Sequence, residues 1–134
     1  MDKTFHLDIV TPRKTVFNAS VLSVSAPGAL GGFQVLVNHA PLLSTLRVGE
    51  VKLVEPEGNE VKYATSGGFL EVRENTVTVL AETAERYDEI DVSRADAARA
   101  RSLDRLREKS ADLDVDRAQA ALQRALNRLK IAGR

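Results

Sequence analysis

The chain has no cysteine and no tryptophan, and aromatic residues make up 4% of its 134 positions. The lack of cysteine excludes disulfides, thiolate metal sites and a cysteine nucleophile. The scarcity of aromatics means that any core is aliphatic, built from Val, Leu and Ala within the 43% of hydrophobic residues. There is no surplus of charge, because 19 basic residues stand against 19 acidic ones. That argues against a general nucleic-acid binder, whose affinity would rest on excess positive charge. No apolar run approaches the ~18 residues that would span a bilayer. The start MDKTFHLDIV lacks the basic and apolar blocks of a secretory signal. These absences fit a cytosolic protein that meets a membrane only through partners. There is also no G-x-x-x-x-G-K-[ST] phosphate loop, no G-x-G-x-x-G turn and no serine in a nucleophile-elbow context, so nothing supplies a nucleophile or an acid–base pair for catalysis.

Two further absences divide the chain. Glycine is missing from 69 to 132 and proline from 57 onward. Upstream the pattern has period two. TFHLDIV alternates Phe5, Leu7 and Ile9 against His6 and Asp8, and SVLSVSA, GFQVLV, EVKLVEP, EVKYATS, GFLEVRE and TVTVLAE follow. Turn signals separate these runs at Thr11-Pro12, Pro27-Gly28, Gly31-Gly32, Glu57-Gly58-Asn59, Gly67-Gly68 and Glu74-Asn75. Many short strands at such spacing predict an antiparallel β-sandwich or barrel over residues 1–86. Downstream, over 87–134, Ala, Arg and Leu predict helices. Asp91 or Ser93 is positioned to cap the first, Ser93 and Asp96 resembling a capping box, and Asp114 to cap the second. Ala118, Leu122, Ala125, Leu129 and Ala132 form a narrow seam on the second helix, and the first offers Ala95, Ala98, Leu103 and Leu106. This predicts an antiparallel hairpin joined by about six residues. Hydrophobic gain scales with area, at about 25 cal/mol per Å², so an alanine seam predicts a weakly held hairpin that can leave its resting place.

The hairpin holds 11 basic and 8 acidic residues from 89 to 134. Arg94 and Arg101, seven apart, share a helix face, and Arg117, Arg124 and Arg128 repeat the spacing. One reading is a solvated face with local ion pairs, Asp91 serving Arg94, Asp104 serving Arg101 and Arg105, and Asp116 serving Arg117. The other is an anion site, because the second helix carries no acidic residue after Asp116. Arginine's planar fork suits phosphate and carboxylate, so the partner is either a polyanion or an acidic protein surface. His6 reads as solvent-facing. His39, in NHAPLLS, reads as ordering a turn or meeting a partner, with no second histidine near it to complete a metal site. The glycines of SGGFLEV read as a turn and strand start, those of APGALGGFQV as a turn or a docking loop.

The segments GGFQVLVNHAPLLSTLRVGEV, SGGFLEVRENTVTVLAETAE and IDVSRADAARAR, taken together, resemble the epsilon subunit of bacterial F-type ATP synthases, in order and over nearly the whole chain. The resemblance implies a β-sandwich of about ten strands followed by an antiparallel two-helix hairpin, with no catalytic site. It implies a rotor subunit whose sandwich joins the gamma subunit to the c-ring of a proton- or sodium-translocating complex, on the cytoplasmic face of the bacterial plasma membrane. The loops expected to meet these partners hold Gly28, Ala29, Leu30, His39, Ala40 and Pro41. The hairpin is expected to extend along gamma toward the alpha and beta subunits, where its basic face meets an acidic surface of beta and blocks ATP hydrolysis. No cofactor is required, but ATP is implied as a regulatory ligand of the folded hairpin. Its I-D-x-x-R-A motif stands here as Ile90, Asp91, Arg94 and Ala95, and Glu85, Arg101, Arg124 and Arg128 resemble the remaining contacts. On that reading the arginines clamp phosphates, while Glu85 and Asp91 accept from the adenine amine or orient arginines. The chain departs from many relatives in carrying Val37-Asn38 where they have Pro-Gly. The rival readings are a purely structural coupling subunit without nucleotide sensing, and a free-standing nucleotide sensor unrelated to a rotor.

Overall fold

The computed structural model describes residues 3–108 and 114–133. The chain divides into two compact units, one up to Arg86 and one from Tyr87 onward. Among the described residues the first unit holds eight strands: β1 (Phe5–Val10), β2 (Thr15–Val21), β3 (Ser23–Gly28), β4 (Gly31–Val35), β5 (Leu42–Val54), β6 (Glu60–Arg73), β7 (Thr76–Ala81) and β8 (Ala84–Arg86). The second holds α1 (Val92–Glu108) and α2 (Val115–Ile131).

The strands form one hydrogen-bonded sheet in the order β2-β1-β7-β6-β5-β3-β4, with β8 also on β6. Burial explains how one sheet closes into a sandwich. In β6 the side chains that enter the core are Val61 and Tyr63, with Thr65 buried in step with them, then Leu70 and Val72, while Ala64 is buried outside that core cluster. Side chains alternate faces along a strand, so this change from odd to even positions means that the strand reverses the face it turns inward. The reversal falls at Gly67-Gly68. β5 does the same around Gly49, from Leu46 to Val51 and Leu53. The pairing to β6 continues from Gly68↔Ala81 in β7 to Thr65↔Ala84 in β8 without a change of register, and inward positions pass from Val79 and Ala81 to the partly buried Ala84. These long strands thus serve both layers, and their two halves meet in a single aliphatic core with Leu7, Ile9, Val21, Val24 and Val35.

This arrangement corrects the expectation of about ten strands to eight. EVKYATS and GFLEVRE are one strand, because the Gly67-Gly68 turn signal is a reversal inside β6. Gly31-Gly32 likewise belongs to β4, and the turn is Ala29-Leu30. The sandwich is also not wholly antiparallel, since β1 and β7 pair in parallel from His6↔Thr76 to Val10↔Leu80. The whole β2–β6 excursion supplies the long crossover that parallel pairing needs.

The loop after β4 is tied down at one point. Asn38 adopts φ 60, the left-handed conformation that asparagine tolerates better than most residues other than glycine. Its N–H donates to Asn75 Oδ1 at 2.7 Å, and Asn75 Nδ2 donates to the Thr4 carbonyl at 3.4 Å. Asn75, itself at φ 59 in the β6–β7 turn, thus links that turn to the loop and to the approach to β1.

α1 begins at Asp91 rather than Ser93. Asp91 Oδ1 accepts from the Arg94 N–H at 3.0 Å, and its carbonyl accepts from the Ala95 N–H at 3.0 Å. The Ser93–Asp96 capping box does not form, because Ser93 is already inside the helix and the Asp96 carboxylate is held by Arg99. Asp114 caps α2 as expected, accepting from the Arg117 N–H at 3.0 Å. α2 ends at Ile131 with Ala132 as its cap, and Gly133 follows with φ 80 and its N–H donating to the Lys130 carbonyl, a glycine stop. The two helices pack on each other. Ala95 and Ser102 are the buried residues of α1, and Ala118 and Ala125 are buried in α2 with Ile131. The seam is therefore narrower than Leu103 and Leu106 suggested; both are only half-buried. The connection expected to span about six residues lies outside the described residues, apart from Asp114.

Two outcomes test this account. Gly68 has φ +142, and a Cβ built there would lie 2.0 Å from the Leu80 carbonyl oxygen. Gly68→Ala is expected to lose about 2–4 kcal/mol in urea denaturation. A loss under about 1 kcal/mol would show that β6 and β7 can part there at little cost. Asn75→Gly keeps the positive φ and removes only the amide. The Asn38 N–H should then exchange with solvent about fivefold faster, as loss of a bond with a net value near 1 kcal/mol requires; an unchanged rate would sink the anchoring role.

Candidate functional site

The hairpin is a plate with two unlike faces. On one face a groove of about 760 Å³ is lined by Val92, Ser93, Asp96 and Arg99 of α1 and by Leu126, Leu129, Lys130 and Gly133 at the end of α2. The beginning of α1 is thus level with the end of α2, and the helices are antiparallel. At about 100° per residue, Arg94 and Arg101 lie roughly half a turn from the α1 groove positions, and Arg124 and Arg128 roughly half a turn from those of α2. All four arginines therefore project from the face opposite the groove. Residues 92–99 lie level with 126–133, which sets Arg101 level with Arg124 and puts Arg94 within one turn of Arg128.

The two ion pairs within α1 do not serve this face. Arg99 pairs with Asp96 at 2.9 Å and Arg107 with Asp104 at 3.8 Å, and both arginines lie off the row. Asp91, expected to neutralise Arg94, spends one carboxylate oxygen on the Arg94 backbone N–H. Among the described residues no carboxylate pairs with the side chain of Arg94, Arg101 or Arg124. Arg94 and Arg101 are exposed and Arg124 and Arg128 half-buried. A guanidinium cannot shed its charge at neutral pH, so cations side by side on one face favour an anion with several oxygens. Ile90 and Ala95 are buried at 8% and 3% exposure. Glu85 is half-buried in β8, in the other unit.

The six loop residues read as partner contacts fall in two places. Ala29 and Leu30 form the tip of the β3–β4 hairpin, where Gly28 pairs with Gly31. The Ala29 N–H donates to the Thr45 carbonyl at 2.8 Å, and Leu30 is fully exposed. Gly28 is buried, and a Cβ there would meet the Gly31 carbonyl oxygen at 2.6 Å and the Phe33 ring at 2.9 Å. Its contribution is to let the tip close. His39, Ala40 and Pro41 are exposed in the loop at the other end of β4, about 17 Å away by the rise of a strand. The His39 Nδ1 lies 2.7 Å from the Ala40 carbonyl oxygen, a bond within the turn. No group of His, Asp or Glu suited to a metal occurs among the described residues. His6 sets its Nε2 3.3 Å from Asp8 Oδ1, which also accepts from Asn18.

The sequence reading overlooked an apolar patch. Phe69 pairs with Leu80 across β6 and β7, and Leu43 stands opposite Glu71 on the same outer face. The three are 52%, 53% and 70% exposed. The signal was present: Leu42-Leu43, Phe69-Leu70 and Val79-Leu80 are adjacent apolar pairs, and in a half-buried strand one member of each must face outward.

Residues 4–87 match the family described as ATP synthase, Delta/Epsilon chain, beta-sandwich domain, and residues 88–133 the one described as ATP synthase, Delta/Epsilon chain, long alpha-helix domain. The chain is 53% identical over 109 residues to the ATP synthase epsilon chain of Pelotomaculum thermopropionicum, covering 81% of each. It is 50% identical over 111 residues to that of Desulforamulus reducens, covering 83% of each. Its fold is shared with a chain of the Euglena gracilis mitochondrial ATP synthase, at a TM-score of 0.85 and 18% identity over 100% of this chain and 84% of that one. It is shared also with a chain of the Tetrahymena thermophila mitochondrial ATP synthase central stalk and c-ring, at 0.62 and 17% over 95% of each. No helix among the described residues is long and apolar enough to cross a membrane. With both units matched and half of the aligned residues identical, the chain belongs to the ATP synthase delta/epsilon family, among the epsilon chains of bacterial F-type enzymes, and is a non-catalytic stalk subunit.

Proposed function

We propose that the chain couples gamma to the c-ring in the central stalk and that its hairpin senses ATP, restraining ATP hydrolysis when it extends toward the alpha and beta subunits. The observation that carries the sensing role is the set of arginines without carboxylate partners, Arg94, Arg101 and Arg124, on one face of the hairpin. Arg101 and Arg124 form a central rung, and Arg94 and Arg128 close the open end. A triphosphate there would draw both helices to one ligand. Binding to the folded hairpin alone would stabilise it by about 2.7 kcal/mol at a ligand concentration one hundred times the Kd. When ATP falls that contribution is lost, the arginines repel one another across the seam, and their face becomes available to an acidic surface of beta. On the sandwich, the outward Leu43, Phe69 and Leu80 support docking to gamma, and the exposed tip at Leu30 and the loop at His39, Ala40 and Pro41 support two further contacts, toward gamma and the c-ring. The Tetrahymena chain of like fold comes from a central stalk and c-ring assembly, which agrees with this placement. The coupled ion is a proton or sodium, and the site of work is the cytoplasmic face of the plasma membrane.

Calorimetric titration of the intact chain with ATP tests the sensing role. Arg94→Ala and Arg124→Ala are each expected to weaken binding about ten- to hundredfold, the equivalent of one charge-assisted bond of about 1.5–3 kcal/mol. An absence of binding at millimolar ATP would remove the sensing role and leave the arginines to an acidic protein surface. In the assembled enzyme, removing the chain from residue 89 onward should raise ATP hydrolysis with coupling retained, and unchanged hydrolysis would overturn the restraining role.

A further inference from the structure

α1 and α2 are both 17 residues long and begin 23 residues apart. Shifted by that distance, ten of the seventeen pairs between residues 91–107 and 114–130 are identical. The motif IDVSRA at 90–95 returns as LDVDRA at 113–118. The local geometry returns with it. The caps Asp91 and Asp114 each accept from the backbone N–H of the arginine three residues on, at 3.0 Å in both helices. The next residue, Ala95 or Ala118, is 3% exposed in both, and seven further on Ser102 and Ala125 are 4% and 1% exposed. The six residues of the motif are therefore a helix start, used twice: an apolar residue before the cap, an aspartate cap, and a small buried side chain in the first turn.

Each helix consequently carries arginine at the third, tenth and fourteenth positions after its cap: Arg94, Arg101 and Arg105 in α1, and Arg117, Arg124 and Arg128 in α2. An antiparallel pair of like helices has an approximate twofold axis, and here it passes between the level residues Arg101 and Arg124. Rotation about it carries Arg94 onto Arg117 and Arg128 onto Arg105.

We propose that the arginine face holds a second phosphate-binding register where the helices are joined, formed by Arg105 and Arg117 with the central Arg101 and Arg124, and that a linear polyphosphate chain fills both registers at once. This rests on the reading above that the face takes phosphates. Arg105 and Arg117 are exposed. Among the described residues neither makes an ion pair, and Asp104, next to Arg105, is turned to Arg107 at 3.8 Å. The row extends over about 21 Å, fourteen residues of helix, so a triphosphate engages one end and a longer chain both. The positions between the arginines are Ala97, Ala98, Ala120 and Ala121. They offer a protein partner none of the large anchors on which binding hot spots depend, whereas repeated forks suit repeated phosphates.

The test is titration of the intact chain with long linear inorganic polyphosphate, ATP and polyglutamate, with circular dichroism confirming that each variant folds. The paired variants Arg105→Ala with Arg117→Ala, and Arg94→Ala with Arg128→Ala, are each expected to weaken polyphosphate binding at least about tenfold. Polyphosphate affinity within about twofold of wild type in the Arg105→Ala, Arg117→Ala chain would overturn the second register, and polyglutamate bound as tightly as polyphosphate would overturn the ligand class. Polyphosphate bound without ATP, and lost in that variant, would support the register while refuting ATP sensing. Binding of none of the three would refute both.

Discussion

The hairpin depends on the close approach of two helices through small side chains. Ala95, Ser102, Ala118 and Ala125 are buried at seven-residue intervals, and the arginines recur at the same interval, so the spacing that joins the helices also brings the cations side by side. The opposing magnitudes are similar. A buried methyl contributes about 0.8 kcal/mol, so the three alanine methyls offer about 2.4 kcal/mol. Two guanidinium groups about 10 Å apart repel by about 0.4 kcal/mol in water and about 1.7 kcal/mol at an effective dielectric constant of 20. Several such pairs, screened by salt over about 8 Å, come close to cancelling the seam. A multivalent anion reverses the sign of the cation term, so a ligand of modest affinity has leverage over this element that it would not have over a leucine-packed hairpin.

The sandwich is governed by a different constraint. Its long strands reverse their inward face at Gly49, at Gly67-Gly68 and between Ala81 and Ala84, so both layers are covalently continuous and share one core. A rigid body results, with Leu7, Ile9, Leu53 and Leu70 wholly enclosed. Contact residues can then sit on its tips and outer face without threatening the fold, which suits a docking unit joined to a helical unit whose own packing is thin.

The period-two and helical halves, the change of grammar near residue 87 and the Asp114 cap were legible because each is a local rule, resting on side-chain alternation, helix propensity or a single hydrogen bond. The strand count was not, because Gly-Gly marks a turn and an in-strand reversal with the same letters, and only the parity of neighbours such as Tyr63 and Leu70 tells them apart. The parallel β1–β7 pair was hidden because it joins segments about seventy residues apart. Asn38 was visible as a departure from Pro-Gly, yet its compensation came from Asn75, across a sequence distance that no local rule covers. Among the site residues, the arginine row followed from helical spacing, whereas the absence of carboxylate partners for Arg94, Arg101 and Arg124 among the described residues required knowing that Asp96 and Asp104 turn to Arg99 and Arg107.

The duplicated helix start changes what the I-D-x-x-R-A motif can be taken to report. Its isoleucine, aspartate and alanine occupy the positions before the cap, at the cap and in the first turn, and each is accounted for by burial or by a backbone bond. A ligand gains from them chiefly through Arg94, whose place along the helix the cap fixes. The same pattern at 113–118 sets Arg117 equally firmly, although nothing in the resemblance assigned that end of the hairpin a ligand. The information that separates a nucleotide-binding hairpin from a merely well-capped one therefore lies outside the motif, in the residues seven and eleven positions beyond Arg94 and Arg117. Two helices that repeat those positions present a charge pattern that one short anion cannot satisfy alone.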